Sequence, residues 1–497
     1  MRSSALLRAR PAVGAALAAA LAATLALGTA LAAAPAASAD AVRDEQYWLK
    51  SSGIEKAWAE TKGAGVTVAV IDTGIDASHP DLHGQVVGGT DVSGAGEKDG
   101  TGPIGALPEH GTLVATLLAG HGNNGAEIAR AEAENDVQHN AWERAAAEAK
   151  ASGNPVPAKP AAVKVPKPGP GPDGIVGVAP EADLLAVSLW LGSANPGGVD
   201  VENQVPRAVR WAVDHGASVI NMSLGSTTPE WPKSWDDAFL YAEQKDVVIV
   251  AAAGNRAGGM AQVGAPATIP GVLTVAGVDK DGNASWDSST TGISIGVAAP
   301  AEPLVGGLPE GGYATWSGTS GAAPLVAGVA ALIRAKYPDM PARDVVNRIL
   351  ATARDAGDPG VDNLYGHGLL DAHAALTANV PAVAANPMDT IAEWIRVHRR
   401  GSAASSSTAA VPSAESTVPV AQAPAAVPPG PPGGALPGVV LAAFGILFAG
   451  VLAGGTVHLL RTGRRRRSLR AAEATVAELV VAAPGGRHDV FDDLPEA

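Results

Sequence analysis

Cysteine is absent from this 497-residue chain, so no disulfide can contribute to its stability. Aromatic residues make up only 4% of the composition, and 35 Lys and Arg are outnumbered by 49 Asp and Glu, which gives a formal net charge of −14. A chain with this acidic balance lacks the basic surface that nucleic acid requires, so we expect no nucleic-acid partner. Stability must then come from a large hydrophobic core, which a domain of about 300 residues can bury without covalent links.

Charged residues are also scarce in two long apolar runs near the ends of the chain. Residues 1–39 combine early arginines, a run of alanine and leucine and a final Ala-Ser-Ala, which predicts a secretory signal peptide and a mature chain that begins at Asp40. The second run, residues 438–460, is long enough to cross a bilayer as one helix. A buried core helix is the alternative, but the arginines that follow at once favour a membrane span.

Those arginines, Arg461 and the block 464–467, also predict the orientation of the span. Positive residues remain on the cytoplasmic side, so we expect residues 461–497 to form a cytoplasmic tail whose positive charge faces the membrane. Everything between the signal peptide and the span is then expected outside the plasma membrane.

The exterior part divides by composition into three pieces. We predict a short extension at 40–65, a main domain at 66–380 and a linker at 381–437. The second half of the linker is dominated by alanine, serine, proline and valine with almost no charge, which indicates an extended tether without a core.

Within the main domain, three distant segments present an aspartate, a histidine and a serine. Asp72 follows the apolar, β-branched run 68–71, which predicts a buried parallel strand with Asp72 at its carboxyl end, where open α/β sheets place their sites. His110 begins a segment with apolar residues at helical spacing, which puts the imidazole on a first helical turn. Ser320 precedes a helix predicted over Ala322 to Ala335, and the amino end of that helix favours developing negative charge.

These three residue types together form a candidate acyl-transfer triad. A serine hydroxyl is a weak nucleophile until an imidazole takes its proton, and the imidazole needs a buried carboxylate to fix its tautomer and stabilise its charged form. Taken singly, each residue would more often be structural. Agreement in chain order, local structure and chemistry favours catalysis by Asp72, His110 and Ser320.

The order Asp, His, Ser and the surrounding segments resemble the subtilase (subtilisin-like, S8) family of serine proteases. The resemblance implies a three-layer α/β/α fold with a mostly parallel sheet of about seven strands. A fourth segment, an apolar run that ends in Ala253-Gly-Asn255, resembles the family segment whose asparagine donates to the oxyanion. The resemblance therefore implies an oxyanion hole formed by Asn255 and the Ser320 amide.

The same resemblance implies where a peptide substrate would bind. Two segments would form the walls of the cleft, and a glycine would lie at the floor of the first specificity pocket, although ordinary core strands and turns are an alternative for the same residues. The implied substrate-binding residues are Ser223, Leu224, Gly225, Ala251, Ala252, Ala253, Gly254 and Gly264. We expect no cofactor and no metal, because the remaining histidines lack partners at metal-ligand spacing. Among those histidines, His79 and His367 suggest turn or cap positions, and His121 and His215 suggest surface or loop positions.

The overall layout narrows the resemblance further. The amino-terminal segments around Trp48 and Trp58 are similar to those of the mycosins, the membrane-anchored subtilases of actinobacterial type VII secretion systems. An insertion at 123–173 interrupts the subtilase pattern, with a charged, helix-prone first half and a loop rich in proline, lysine and glycine after it. Long loops of this kind are a mycosin trait, and we hypothesise that this one shields the cleft or is itself cut.

The sequence therefore predicts a membrane-anchored extracytoplasmic serine endopeptidase that acts on protein or peptide substrates in association with a type VII secretion membrane complex. The rival hypothesis is a structural stabiliser of that complex, in which proteolysis is auxiliary. A broad nutritional protease is a third possibility, but a membrane anchor would keep a digestive enzyme from diffusing to its substrates.

Overall fold

The computed structural model describes residues 41–399. The predicted signal peptide, the second half of the linker, the predicted span and the tail lie outside these residues. Within residues 41–399, no helix is both long and apolar enough to cross a bilayer.

The described chain is an α/β domain with strands and helices in alternation. The strands are β1 Thr67–Asp72, β2 Val86–Asp91, β3 His121–Asn123, β4 Asp173–Val176, β5 Asp183–Ser188, β6 Val219–Met222, β7 Val248–Ala252, β8 Leu273–Val278, β9 Ile295–Pro300, β10 Leu304–Gly307 and β11 Tyr313–Trp316. The α-helices are α1 Ala41–Asp44, α2 Trp48–Ser51, α3 Ile54–Ala57, α4 His110–Ala119, α5 Gly125–Ala151, α6 Val201–Asp214, α7 Lys233–Gln244, α8 Thr319–Lys336, α9 Ala342–Ala351, α10 Ala372–Thr377 and α11 Ile391–His398. A 3₁₀ helix spans Pro80–Leu82.

Seven strands form one parallel sheet in the order β2-β5-β1-β6-β7-β8-β9. Alternate residues of β1 belong to different hydrophobic clusters, Val68 and Val70 to one and Ala69 and Ile71 to the other. A strand buried on both faces needs apolar residues at every position, which is why these strands are continuous apolar runs in the sequence. The predicted three-layer fold with a mostly parallel sheet is confirmed.

The sheet order brings the candidate segments to one edge. β1 lies between β5 and β6, with Val68 level with both Leu184 and Val219. The chain leaves β1 toward one side of the sheet and later adds β6 on the other side, so a crevice opens at the carboxyl end of β1. Asp72 is the last residue of β1 and therefore lies at this crevice, as predicted.

The predicted extension and the start of the predicted linker both pack on the domain. At the amino end, Trp48 and Ile54 are completely buried in the core. At the carboxyl end, the Trp394 ring of α11 lies 4.5 Å from that of Trp231, and Arg399 donates to Asp236 at 2.8 Å. The folded part thus continues past residue 380, because a short amphipathic helix capped by Thr390 follows it.

The insertion folds as a helix with a returning chain packed along it. Helix α5 is followed by an irregular stretch that exchanges two hydrogen bonds with Asn135 through Val163, at 2.7 and 2.9 Å. The Trp142 indole donates to the Pro157 carbonyl at 2.9 Å. At the base of the insertion, β3 pairs with β4. The helix-prone first half is therefore helical, and the second half is an extended strap with its own partners.

Candidate active site

Asp72 and His110 meet at the carboxyl edge of the sheet. Nδ1 of His110 lies 2.7 Å from Oδ1 of Asp72, and that carboxylate is wholly buried. The same oxygen accepts the backbone N–H of Thr73 at 2.7 Å. Since Asp72 cannot donate when ionised, His110 must donate from Nδ1, which leaves Nε2 as the basic nitrogen.

The first turn of α4 is held against β1 by a very close backbone approach. A Cβ on Gly111 would lie 2.0 Å from the Gly74 carbonyl oxygen, so no larger residue fits there. The Gly111 N–H donates to the Thr73 hydroxyl at 3.0 Å. These contacts explain why glycine follows the histidine, and they fix the imidazole over Asp72.

The His110 environment raises its pKa. Burial lowers the pKa of the imidazole, but the charge of Asp72 and its hydrogen bond, helped by the charge of Glu109, outweigh burial and leave the pKa above its usual value. The side chain is 19% exposed, so the ring is still open on one side. Its edge also meets the Trp316 ring, with centroids 5.8 Å apart.

Ser320 lies in the first turn of α8, on the opposite side of the crevice. The helix begins at Thr319, so the amide of Ser320 is among the first N–H groups, which have no acceptor inside the helix. Its hydroxyl donates to the Ser223 carbonyl at 3.1 Å, while the Ser223 hydroxyl donates to the Ser320 carbonyl at 2.8 Å. The serine is therefore tied to the segment after β6 in this structure.

Asn255 is fixed by the residue next to the serine. Its Oδ1 accepts the Thr319 N–H at 2.8 Å and the Thr319 hydroxyl at 2.9 Å, and that hydroxyl accepts the Gly254 N–H at 2.9 Å. Because a backbone N–H can only donate, the bond to Thr319 fixes which end of the amide is oxygen. The Asn255 NH₂ group is thereby left to donate elsewhere.

A cleft of 360 Å³ joins these groups. His110, Ser320 and Asn255 all contribute to its wall. Of the implied substrate-binding residues, the structure places Ser223, Leu224, Gly225, Ala252 and Gly254 on the wall. Ala251 and Ala253 are buried beneath it in the core. Gly264 is also not part of the wall, because it packs against the backbone of Ser226.

Several residues that shape the site were missed by sequence reasoning. Thr73 and Thr319 hold the histidine helix and the asparagine, and both lie beside the predicted residues in the sequence. Trp316 and Met260 reach the site from a hairpin and a turn, which have no periodic pattern to reveal them. Adjacency to a motif was the signal available for the threonines.

Other predictions about polar residues have mixed outcomes. His79 caps the 3₁₀ helix by accepting the Asp81 N–H, in line with the cap prediction. The surface prediction for His121 is wrong, because its ring is buried between the carbonyls of Gly122 and His83. Among residues 41–399, no group of three or more His, Asp or Glu side chains is arranged to hold a metal ion.

Comparison of the sequence with known families agrees with this geometry. The sequence model of the subtilase family matches residues 63–368. Subtilisin DY of Bacillus licheniformis is 34% identical over 318 residues, which span 63% of this chain and 92% of that protein. Mycosin-1 of Mycobacterium tuberculosis is 32% identical over 379 residues, which span 66% of this chain and 72% of that protein.

Solved structures give the same result. MycP1 with its N-terminal propeptide removed aligns with a TM-score of 0.50 and 29% identity, over 68% of this chain and 98% of that one. The MycP3 protease from the type VII (ESX-3) secretion system aligns with a TM-score of 0.50 and 31% identity, over 69% of this chain and 90% of that one. The predicted resemblance to the mycosins is confirmed, and since the family match covers more than half of its length, this chain belongs to the subtilase family of serine proteases.

Proposed function

We propose that this chain cleaves peptide bonds of its substrates by acyl transfer, with Ser320, His110 and Asp72 as the catalytic residues. The observation that supports this most directly is the 2.7 Å contact between His110 and the buried Asp72, in the same cleft as Ser320. His110 takes the Ser320 proton on Nε2 while Oγ bonds to the scissile carbonyl carbon, and it then returns the proton to the leaving amine as the C–N bond breaks. Water hydrolyses the acyl-enzyme by the same steps.

Two features of the described geometry support an oxyanion hole. The Asn255 NH₂ group is oriented by Thr319, and the Ser320 amide lies at the start of α8 with no acceptor among the described residues. The tetrahedral oxyanion would accept from both donors. For attack to occur, the Ser320 hydroxyl must release the Ser223 carbonyl and form a hydrogen bond to the His110 ring.

The substrate is proposed to bind as an added strand. Gly225 makes no backbone hydrogen bond to any described residue, so its peptide groups are free to pair with an extended peptide. Ala252 and Gly254 form the facing wall. Backbone pairing of this kind holds many different sequences, which suits an endopeptidase on protein or peptide substrates.

Labelling with a fluorophosphonate probe tests this mechanism in the full-length chain in membranes. We expect covalent labelling of the wild type and its loss in Ser320→Ala. Ser317→Ala is a matched control, because Ser317 belongs to the same motif but is exposed and forms no side-chain hydrogen bond within the described chain. A wild-type chain that stays unlabelled, or a Ser320→Ala variant that labels, would refute the assignment.

We further propose that this protease is anchored in the plasma membrane and faces the exterior, in association with a type VII secretion complex. Support comes from the similarity to mycosin-1 and MycP3, and from the predicted order of signal peptide, protease, tether, span and basic tail. One observation favours the rival structural role. The insertion folds as a helix with a returning chain bonded to it, yet none of its residues lines the cleft, so it is available for a contact unrelated to substrate.

Secretion assays in cells separate the two roles. If proteolysis is the required function, Ser320→Ala should reduce secretion as much as deletion of the whole chain does. If the chain is mainly structural, Ser320→Ala should support normal secretion while deletion abolishes it. Ser317→Ala controls for expression and folding in both cases.

A further inference from the structure

Met260 lies in the slot between the two walls of the cleft. A Cβ placed on Gly254 would lie 2.4 Å from its terminal methyl carbon and 2.7 Å from its sulfur. A Cβ placed on Gly225 would lie 3.0 Å from the same methyl carbon. The thioether therefore touches both facing glycines, and the slot between them is narrower than two glycines alone would make it.

The side chain reaches this slot from a tight turn that begins at Asn255. The carbonyl of Asn255 accepts the N–H groups of Gly258 at 3.1 Å and Met260 at 3.2 Å. Gly259, which has a φ of 85°, turns the chain back toward the cleft. Arg256 anchors the turn by donating to the carbonyls of Trp286 and Ser289. The backbone beneath Met260 is thus held in place, while its side chain is partly exposed.

This slot opens beside the reacting groups. Ser223, two residues before Gly225, exchanges hydrogen bonds with Ser320, and Asn255 directly follows Gly254. A carbonyl held between Ser320 and Asn255 would direct the side chain of its own residue toward the space between the two glycines. Met260 occupies the inner part of that space.

The glycine expected at the pocket floor does not set the depth of this slot. A Cβ on Gly264 would lie 1.8 Å from the Ser226 carbonyl oxygen, so Gly264 exists to let two backbone segments pack. Those segments are joined where Ser226 donates its N–H to the Ala265 carbonyl at 2.8 Å. Of the two positions, only Met260 contributes to the cleft wall.

We propose that Met260 determines specificity by filling the inner part of the pocket for the residue whose carbonyl is attacked, so that small side chains such as alanine are preferred there. This inference rests on the proposed acyl-transfer function. A larger side chain must displace the thioether from its contacts with Gly225 and Gly254. Methionine can move because it is unbranched, but the displacement weakens binding of the larger side chain in the transition state.

Peptide p-nitroanilides test this assignment. The substrates succinyl-Ala-Ala-Pro-Ala and succinyl-Ala-Ala-Pro-Phe differ only in the residue that enters the slot. Rates are measured on the full-length chain in detergent and divided by the number of sites that label with fluorophosphonate, so that unfolded protein is not counted. The variants are Met260→Ala, Met260→Leu, which keeps most of the volume, and Met340→Ala as a control, since Met340 is partly buried and outside the cleft wall.

We expect the wild type to prefer the alanine substrate. Met260→Ala should raise the ratio of kcat/KM for phenylalanine over alanine by about tenfold or more, the effect typical of one or two methylene groups in an apolar pocket. Met260→Leu and Met340→Ala should leave the ratio near the wild-type value. An unchanged ratio in Met260→Ala, or a wild type that prefers phenylalanine, would overturn the role of Met260. A wild type that fails to label would instead overturn the proposed function.

Discussion

At the scale of single residues, the pKa of His110 is the property that controls activity against pH. The ring is partly buried, which lowers its pKa, but the Asp72 charge and hydrogen bond raise the pKa further than burial lowers it. A general base must be neutral before it accepts a proton. The rate of peptide hydrolysis should therefore be maximal at pH values above the raised pKa of His110 and should fall as the pH drops through that pKa.

We predict that the acidic limb of kcat/KM has its midpoint above about 6.5, the ordinary pKa of histidine. Asp72→Asn removes the charge that raises the pKa, so its acidic limb should move to lower pH, and its rate should fall by about 10⁴-fold because the tautomer is no longer fixed. Peptide hydrolysis between pH 5 and 9 measures both. A wild-type midpoint below that of Asp72→Asn would contradict the assignment of His110 as base.

Asn255 gives a second prediction at this scale. Asn255→Ala should reduce kcat by about 10²–10³-fold with little change in KM, because the donor acts on the transition state and not on the bound peptide. Asn255→Asp is a matched variant, since it retains the oxygen that accepts from Thr319 but loses the NH₂ donor. We expect it to be as slow as the alanine variant. Full activity in Asn255→Asp would show that orientation of Thr319, and not donation, is what Asn255 supplies.

At the scale of elements, the sequence predicts a strand or helix best where one or both of its faces are buried. β7 is apolar throughout and β1 is apolar from Val68 to Ile71, because both faces of these strands are covered, and the buried Asp72 ends the apolar run of β1. The same logic identified the helix that begins with His110 and the helix that begins beside Ser320. Three of the four proposed active-site residues follow from this pattern, and Asn255 follows from the family resemblance.

Elements defined by long-range contacts were harder to predict. The hairpin of β10 and β11 brings Trp316 to His110, yet each strand has only four residues, too few to show a periodic pattern. Helix α11 is stabilised by Trp231 and Asp236, which lie far away in the chain. A local pattern cannot show such partners, so the sequence predicts residues 381–399 as part of a linker, whereas the structure places a helix there.

The insertion gives the prediction for this scale. Its helix and strap bond to each other, its base is the β3–β4 pair, and none of its residues lines the cleft. Replacing residues 126–169 by Gly-Ser should therefore leave fluorophosphonate labelling and peptide hydrolysis within about twofold of wild type, with Tm lowered by at most about 4 °C. The β3–β4 pair and the Asn123 contact with Asp81 remain in this variant.

Loss of labelling in a variant that still melts cooperatively would show that the insertion supports the site, whereas labelling faster than that of the wild type would support the shielding hypothesis. The self-cleavage hypothesis has its own measurement. Mass spectrometry of the mature chain should find a cut in the strap at 152–172, and Ser320→Ala should remove that cut if the chain makes it.

At the scale of the whole molecule, the charge distribution and the lack of cysteine define one testable arrangement. The net charge of −14 belongs mainly to the part expected outside the membrane, whereas the predicted tail begins with clustered arginines. Burial of the apolar span favours a transmembrane helix, and retention of its positive flank on the cytoplasmic side favours an orientation with the tail in the cytoplasm. The span at 438–460 should therefore have one orientation.

A chain without cysteine lets a single introduced thiol report its own side of the membrane. Ser405→Cys lies before the predicted span and should react with a membrane-impermeant maleimide in intact cells. Ser468→Cys lies after the span and should react only once the cells are permeabilised. The parent chain has no thiol and is the blank for both. Reaction of both thiols in intact cells would mean that the arginines do not hold the tail inside, and the reverse pattern would place Ser320 in the cytoplasm, away from any exported substrate.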